Sequence, residues 1–148
     1  GKAMKLKNIM LASCLPALFF TASYAQQCPA PSSITVLPSG QFYAPNNWVL
    51  QMGSGKKVKG APMSFDTALL YPVTPKTGGY GDMVCYYNQL KGGNYVEGFS
   101  FQKAFVGLTK DSIIPHANTT WAKAPAGDFQ CLPNPPDQSN SSEFCQWK

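Results

Sequence analysis

Apolar and polar residues alternate most clearly between Met83 and Phe101, MVCYYNQLKGGNYVEGFSF, where two β-prone runs flank Gly92-Gly93. Paired glycines supply the positive φ angles that a tight hairpin turn requires. With those two residues as the loop, Leu90 faces Tyr95, Asn88 faces Glu97, Tyr86 faces Phe99 and Val84 faces Phe101. One face is then rich in aromatic and branched side chains. The other carries Cys85, Tyr87, Val96, Gly98 and Ser100, with the Tyr87 ring over Gly98. Side chains worth burying on both faces predict a central hairpin whose Cys85 is tied to another layer. Ala104 to Leu108 is expected to continue the sheet after a bend.

Weaker patterns flank this hairpin. Ser33 to Leu37 reads as a short strand stopped by Pro38-Ser39-Gly40, and Trp48 to Met52 as a second, ended by Gly53 and Gly55. The spacing of Phe65, Ala68 and Leu69 predicts one or two helical turns over Ser64 to Leu70, with Ser64 as cap and Pro72 and Pro75 limiting extension. From Asp111 onward turn residues dominate, and 115–148 is rich in proline, with one short strand around Asp128 to Leu132. The fold class expected is mainly β: a small antiparallel sheet or sandwich with at most one short helix and a loop-rich C-terminal tail.

The N-terminal pattern changes how the composition is read. Lys5 and Lys7, the apolar run Ile9 to Phe20, and Ser23-Tyr24-Ala25 fit a signal peptide over residues 4–25, with cleavage before Gln26. Gly1-Lys2-Ala3 precede Met4 and read as a vector remnant. Leu11-Ala12-Ser13-Cys14 also matches a lipoprotein cleavage pattern, but a cut there would shorten the apolar run to Ile9-Met10-Leu11-Ala12 and leave Leu15 to Phe20 in the mature chain. The apolar run is too short for a spanning helix, so no stable membrane insertion is expected. Cleavage at Gln26 leaves 123 residues, read as one domain, with nine lysines against seven carboxylates. The net charge falls from +5 to +2, and no arginine occurs anywhere. Without the planar fork that reads phosphates and guanines, nucleic-acid binding is not expected.

Cys28, Cys85, Cys131 and Cys145 remain, an even number in an exported chain, and they allow three disulfide connectivities. Cys28 with Cys85 and Cys131 with Cys145 is the favoured pairing, the second holding together the ends of LPNPPDQSNSS. A zinc site using His116 is the alternative. It is disfavoured because no closely spaced C-x2-C pair exists, so no metal and no cofactor are expected.

Catalytic chemistry finds little purchase. His116 is the sole histidine, no G-x-S-x-G elbow accompanies it, and four paired cysteines leave no thiol nucleophile. GSGKKVKG fails the phosphate-loop pattern at Leu50 and Lys57. The carboxylates Asp66, Asp82, Glu97 and Asp128 are scattered. No catalytic residue is assigned.

Binding is the remaining class. Phe99, Phe101, Tyr86 and Trp48 read as core. Trp121, Trp147, Tyr43, Tyr71 and Tyr80 lie among turn residues and are candidates for a binding surface, joined by the basic group Lys56, Lys57 and Lys59. Lys56, Lys57 and Lys59 read first as a solvated loop and otherwise as a contact site for anionic lipid, glycan or protein. Asn118-Thr119-Thr120 and Asn140-Ser141-Ser142 match the glycosylation acceptor pattern, which matters only in a eukaryotic secretory pathway.

The order Cys28-Pro29, Ile34, Gly40, Trp48, Phe65, Ala68 and Cys85-Tyr86-Tyr87 resembles small exported proteins of gamma-proteobacteria grouped under domains of unknown function. The resemblance spans roughly residues 28 to 101. It implies a periplasmic or secreted disulfide-bonded β domain, sometimes tied to secretion machinery or host interaction, and carries no catalytic residues. The expectation is thus an exported, non-enzymatic binding or accessory protein whose partner is a host, envelope or secretion component. The alternative is a secreted hydrolase inhibitor that inserts a rigid loop such as Asp111 to Trp121.

Overall fold

The computed structural model describes residues 25–52, 62–92, 94–115, 119–133 and 141–148. Eleven strands run through them: β1 Gln26–Gln27, β2 Thr35–Val36, β3 Phe42–Tyr43, β4 Val49–Met52, β5 Met63–Tyr71, β6 Tyr80–Lys91, β7 Asn94–Val106, β8 Ile113–Ile114, β9 Thr119–Lys123, β10 Phe129–Pro133 and β11 Gln146–Trp147. Single 3-10 turns occur at Pro31–Ser33, Lys110–Ser112 and Ser141–Phe144. Six strands form one antiparallel sheet in the order β4-β7-β6-β5-β10-β9, beside a three-stranded sheet β1-β11-β8 and the β2–β3 ribbon. The fold is mainly β and antiparallel, as its alternation implied.

The β6–β7 hairpin occupies the middle of the large sheet, and its tip follows the expected register, Leu90 opposite Tyr95. Gly92 adopts φ +60° there. Beyond the tip the register shifts by one. Gln89 faces Glu97, Tyr87 faces Phe99, and Cys85 faces Phe101. The extra residue is Val96, a β-bulge, and one extra residue reverses which side chains share a face. Tyr87 therefore stacks on Phe99, with centroids 5.2 Å apart, instead of covering Gly98. Nor does a bend follow: β7 runs unbroken to Val106.

A second bulge overturns the helical expectation for Ser64 to Leu70, which lies wholly within β5. Phe65 pairs with Tyr87 and Thr67 with Tyr86, leaving Asp66 as the extra residue. Across the bulge the alternation changes phase, so Phe65 and Ala68 share a face at a spacing of three. That is the spacing a helix would have shown. The first predicted strand shrinks to Thr35–Val36 behind a 3-10 turn. Trp48 to Met52 and Asp128 to Leu132 correspond within a residue to β4 and β10. The tail expected to be loop also supplies β8, β9 and β11.

One row of inward side chains crosses all six strands: Leu50, Phe101, Cys85, Ala68, Cys131 and Trp121. Both disulfides leave the sheet from this row. Cys85 bonds Cys28 and Cys131 bonds Cys145, each pair with Cα atoms 5.9 Å apart. Ala68, fully buried between them, is small enough to sit between two bridges. The next inward residue on β6, Tyr87, donates its hydroxyl to the Pro29 carbonyl at 2.6 Å. The segment beginning at Cys28 is thus fixed to one face of β6 by a covalent bond and a hydrogen bond two residues apart. Phe42 stacks on Phe99 at 4.2 Å, and Trp147 meets Phe105 edge-on at 5.4 Å. These contacts place the β2–β3 ribbon and the three-stranded sheet on the inward face.

Candidate functional site

Alternation along the same strands points Tyr80, Asp82, Val84 and Tyr86 of β6 to the other face, with Ser100, Gln102, Ala104 and Val106 of β7. Of the exposed large apolar residues, Val49, Met52, Tyr71, Tyr80, Val106 and Leu132 all project from this outer face. Their neighbours Val84, Ser100 and Thr67 are buried. The exposed set is densest at the sheet end formed by the start of β6 and the finish of β7. Tyr80 pairs with Val106 there, and Ala104, Asp82 and Tyr71 form the next row across three strands. Val106 is 78% exposed and Tyr80 50%.

Asp82 is the sole charged side chain at these outward strand positions, and no lysine shares them. Asp128 stands near Tyr71. Burial, then the neighbouring Tyr86 and Asp128, push the Tyr71 hydroxyl above its ordinary pKa. A concavity of about 400 Å³ opens between β4 and β7 and is lined by Asn47, Val49, Leu50, Gln51, Asp82, Gln102, Lys103 and Ala104. Its lining mixes apolar side chains with amide-bearing residues and includes both an acidic and a basic residue, Asp82 and Lys103.

A larger concavity of about 540 Å³ lies between Gln26–Ala30 and the turn Pro45–Trp48. Asn46 and Asn47 there adopt φ +65° and +66°, a left-handed pair that asparagine tolerates and that reverses the chain between β3 and β4. The Lys103 ammonium donates to the Asn46 carbonyl at 2.7 Å. It also stands 5.9 Å from the Trp48 ring centroid and 5.4 Å from that of Phe105.

The candidates from the sequence divide. Tyr43, Tyr71 and Tyr80 are exposed. Trp147 is not: it is 1% exposed, its ring packed against Trp48 and Phe105. Two-residue pairings with β1 and β8 hold it there, and local sequence shows neither. Trp121 is half-buried beside Cys131, so it is a wall of the core more than a platform. Trp48 and Tyr86 are half-buried, less enclosed than the core role expected for them. The indole N–H groups of Trp121 and Trp147 are buried without a partner. Lys56, Lys57, Lys59, His116, Asn118 and Asn140 lie outside the described residues. Sequence reasoning missed Val106, Val49, Met52 and Lys103. Val106 and Val49 have a signal in strand alternation, once the bulge positions are known.

All four cysteines of the described chain are disulfide-bonded and so provide no thiolate for zinc. Among the described residues no cluster of histidine, cysteine and carboxylates gathers to hold a metal, and no helix is long and apolar enough to cross a membrane. Comparison with family models, curated proteins and solved structures finds no match. The Cys28-Pro29 start and the Cys85-Tyr86-Tyr87 strand accordingly have their account in this fold: a disulfide, an accepting carbonyl and a buried phenol.

Proposed function

We propose that the protein is an exported, non-enzymatic binding module that docks a protein partner on the outer face of its six-stranded sheet. The observation that carries this reading is the exposure of Val49, Met52, Tyr71, Tyr80, Val106 and Leu132 on one face, around the buried Val84, Ser100 and Thr67, while both disulfides and the stacked aromatic core lie on the opposite face. Exposed apolar side chains that cluster, as Tyr71, Tyr80 and Val106 do at one sheet end, mark interaction sites. The exposed Tyr71, Tyr80 and Val106 at one sheet end select a partner surface that is itself apolar. The partner is a host, envelope or secretion component. Two disulfides are compatible with an oxidising compartment, where such a partner would be met.

The test is site-directed photo-crosslinking in the native host, with a photoreactive residue at position 106 and a control at position 37, which is exposed but away from this face. A discrete adduct from position 106 alone, lost when Tyr80→Ser is added, is expected. The adducted protein, purified, should then bind the module one to one. Identical adducts from both positions, or none, contradict the reading. Stoichiometric inhibition of a soluble hydrolase through the Asp111 to Trp121 segment would move the protein to the inhibitor class.

A further inference from the structure

We infer that the groove between Gln26–Ala30 and the Asn46–Asn47 turn is a second binding site, for an acidic saccharide, adjoining the β4–β7 concavity through Asn47 and Lys103, which line both. Its volume of about 540 Å³ falls in the range of small-molecule sites. The lining is unusual in kind. Gln26, Gln27, Asn46 and Asn47, four amide-bearing residues, line it from two separate segments of the chain, the Gln27 amide oxygen also accepting from Gln146 at 3.2 Å. A primary amide offers both an acceptor oxygen and donor hydrogens, which is what a sugar hydroxyl, itself donor and acceptor, requires. Trp48 contributes an aromatic wall for the C–H face of a pyranose ring.

Lys103 selects the acid. It is half-buried, lines the groove and donates to one carbonyl, that of Asn46. No carboxylate of the described residues forms an ion pair with it, and the rings of Trp48 and Phe105 take up part of its charge. A cation partly withdrawn from water, with donors still to place, favours an anionic ligand group. A sugar carboxylate meets that need, and its ring and hydroxyls meet the tryptophan and the amides.

The turn supplies the geometry. Two successive asparagines at φ +65° and +66°, a left-handed pair that asparagine adopts readily, form a tight reversal that puts both residues at the groove. The Lys103 bond to the Asn46 carbonyl ties that turn to β7. The amides and the ammonium therefore form one preorganised set.

The probes are sodium glucuronate, glucose and sodium acetate, titrated separately at constant ionic strength into ¹⁵N-labelled protein and followed by NMR. Saturable shifts in the Trp48 indole N–H and in the side-chain amides of Asn46 and Asn47 are expected with glucuronate. Glucose should bind about tenfold more weakly. Lys103→Gln should erase the preference for glucuronate over glucose while leaving the remaining spectrum in place. Asn47→Gly, which keeps the backbone conformation, should weaken both sugars several-fold. Acetate shifting the same resonances as strongly as glucuronate would overturn the proposal in favour of a bare anion site. Absence of saturable shifts, or an unchanged preference in Lys103→Gln, would overturn it as well. The Lys103→Gln result bears on this groove and the adjoining concavity, whereas the outer-face reading is tested by crosslinking at position 106, which lines neither.

Discussion

On the inner face of the six-stranded sheet, Phe65, Tyr87, Phe99 and Phe101 are each no more than 1% exposed, whereas Val49, Met52, Tyr80 and Val106 on the outer face are each at least half exposed. Strands β6 and β7 supply members of both sets. The inner residues interlock edge-to-face and stacked, with ring centroids 5.2 to 6.1 Å apart between Tyr87, Phe99 and Phe101. Both disulfides also fasten chain segments to that face. Burial of each large apolar side chain there contributes about 1.5 to 3 kcal/mol. The outer apolar residues contribute little of this, so stability does not explain their presence. The inner face carries the aromatic core, and the exposed outer residues are the ones the proposed docking role would use.

The comparison breaks most severely at the disulfides. Cys28→Ser opens a bridge spanning 57 residues, and chain entropy alone assigns it about 4 kcal/mol, against about 3 kcal/mol for the 14-residue separation closed by Cys131 and Cys145. Reduction should sharply lower the thermal midpoint, and the Cys28 variant should melt below the Cys131 variant. Calorimetry of the oxidised protein and the two variants checks the order.

Tyr87→Phe should cost about 1 to 3 kcal/mol, because the buried Pro29 carbonyl loses its donor. It also carries a pH signature. Burial raises the Tyr87 hydroxyl pKa well above its ordinary value of 10.0. The ionised phenol is then favoured in the unfolded chain. This contribution to stability is intact below pH 10 and is lost as pH rises above it. Denaturant midpoints measured across that range should fall for the wild type and flatten in Tyr87→Phe. Tyr71→Phe should alter the curve less, since Tyr71 is 40% exposed.

A single methyl group probes how closely the layers approach. A Cβ at Gly81 would lie 2.6 Å from the Tyr71 carbonyl oxygen and 2.9 Å from the Leu108 Cβ. Gly81→Ala should therefore destabilise by about 1 to 3 kcal/mol, measured by denaturant unfolding. At the far end of the scale, Val106→Asp and Tyr80→Ser should shift stability by no more than about 0.5 kcal/mol. The same two substitutions should weaken partner binding at least about tenfold.

The mainly β class and the cysteine pairing were legible because they rest on local alternation and on an even number of spaced cysteines. The bulges were not. Asp66 and Val96 look like ordinary strand residues, yet each reverses the facing of the strand residues beyond it. That reversal gave a strand the spacing of a helix and moved Tyr87 from Gly98 to Phe99. The local sequence of Trp147 reads as surface because its burial depends on Gln26 and Ile113, far away in sequence. The outer-face site was half visible. Tyr71 and Tyr80 stood out as exposed aromatics, while Val106 and Val49 become meaningful only when the strand order places them around Asp82.

The most direct measurement sets one substitution from each face side by side: thermal midpoint and position-37-controlled crosslinking yield for Val106→Asp and Phe99→Ala, with the photoreactive residue at position 132 of the same outer face. Val106→Asp should melt with the wild type and lose the adduct, while Phe99→Ala should lower the midpoint by the equivalent of about 3 to 5 kcal/mol. A Val106→Asp protein that destabilises as much as Phe99→Ala, or that retains the full adduct, would contradict the division of the sheet into a folding face and a binding face.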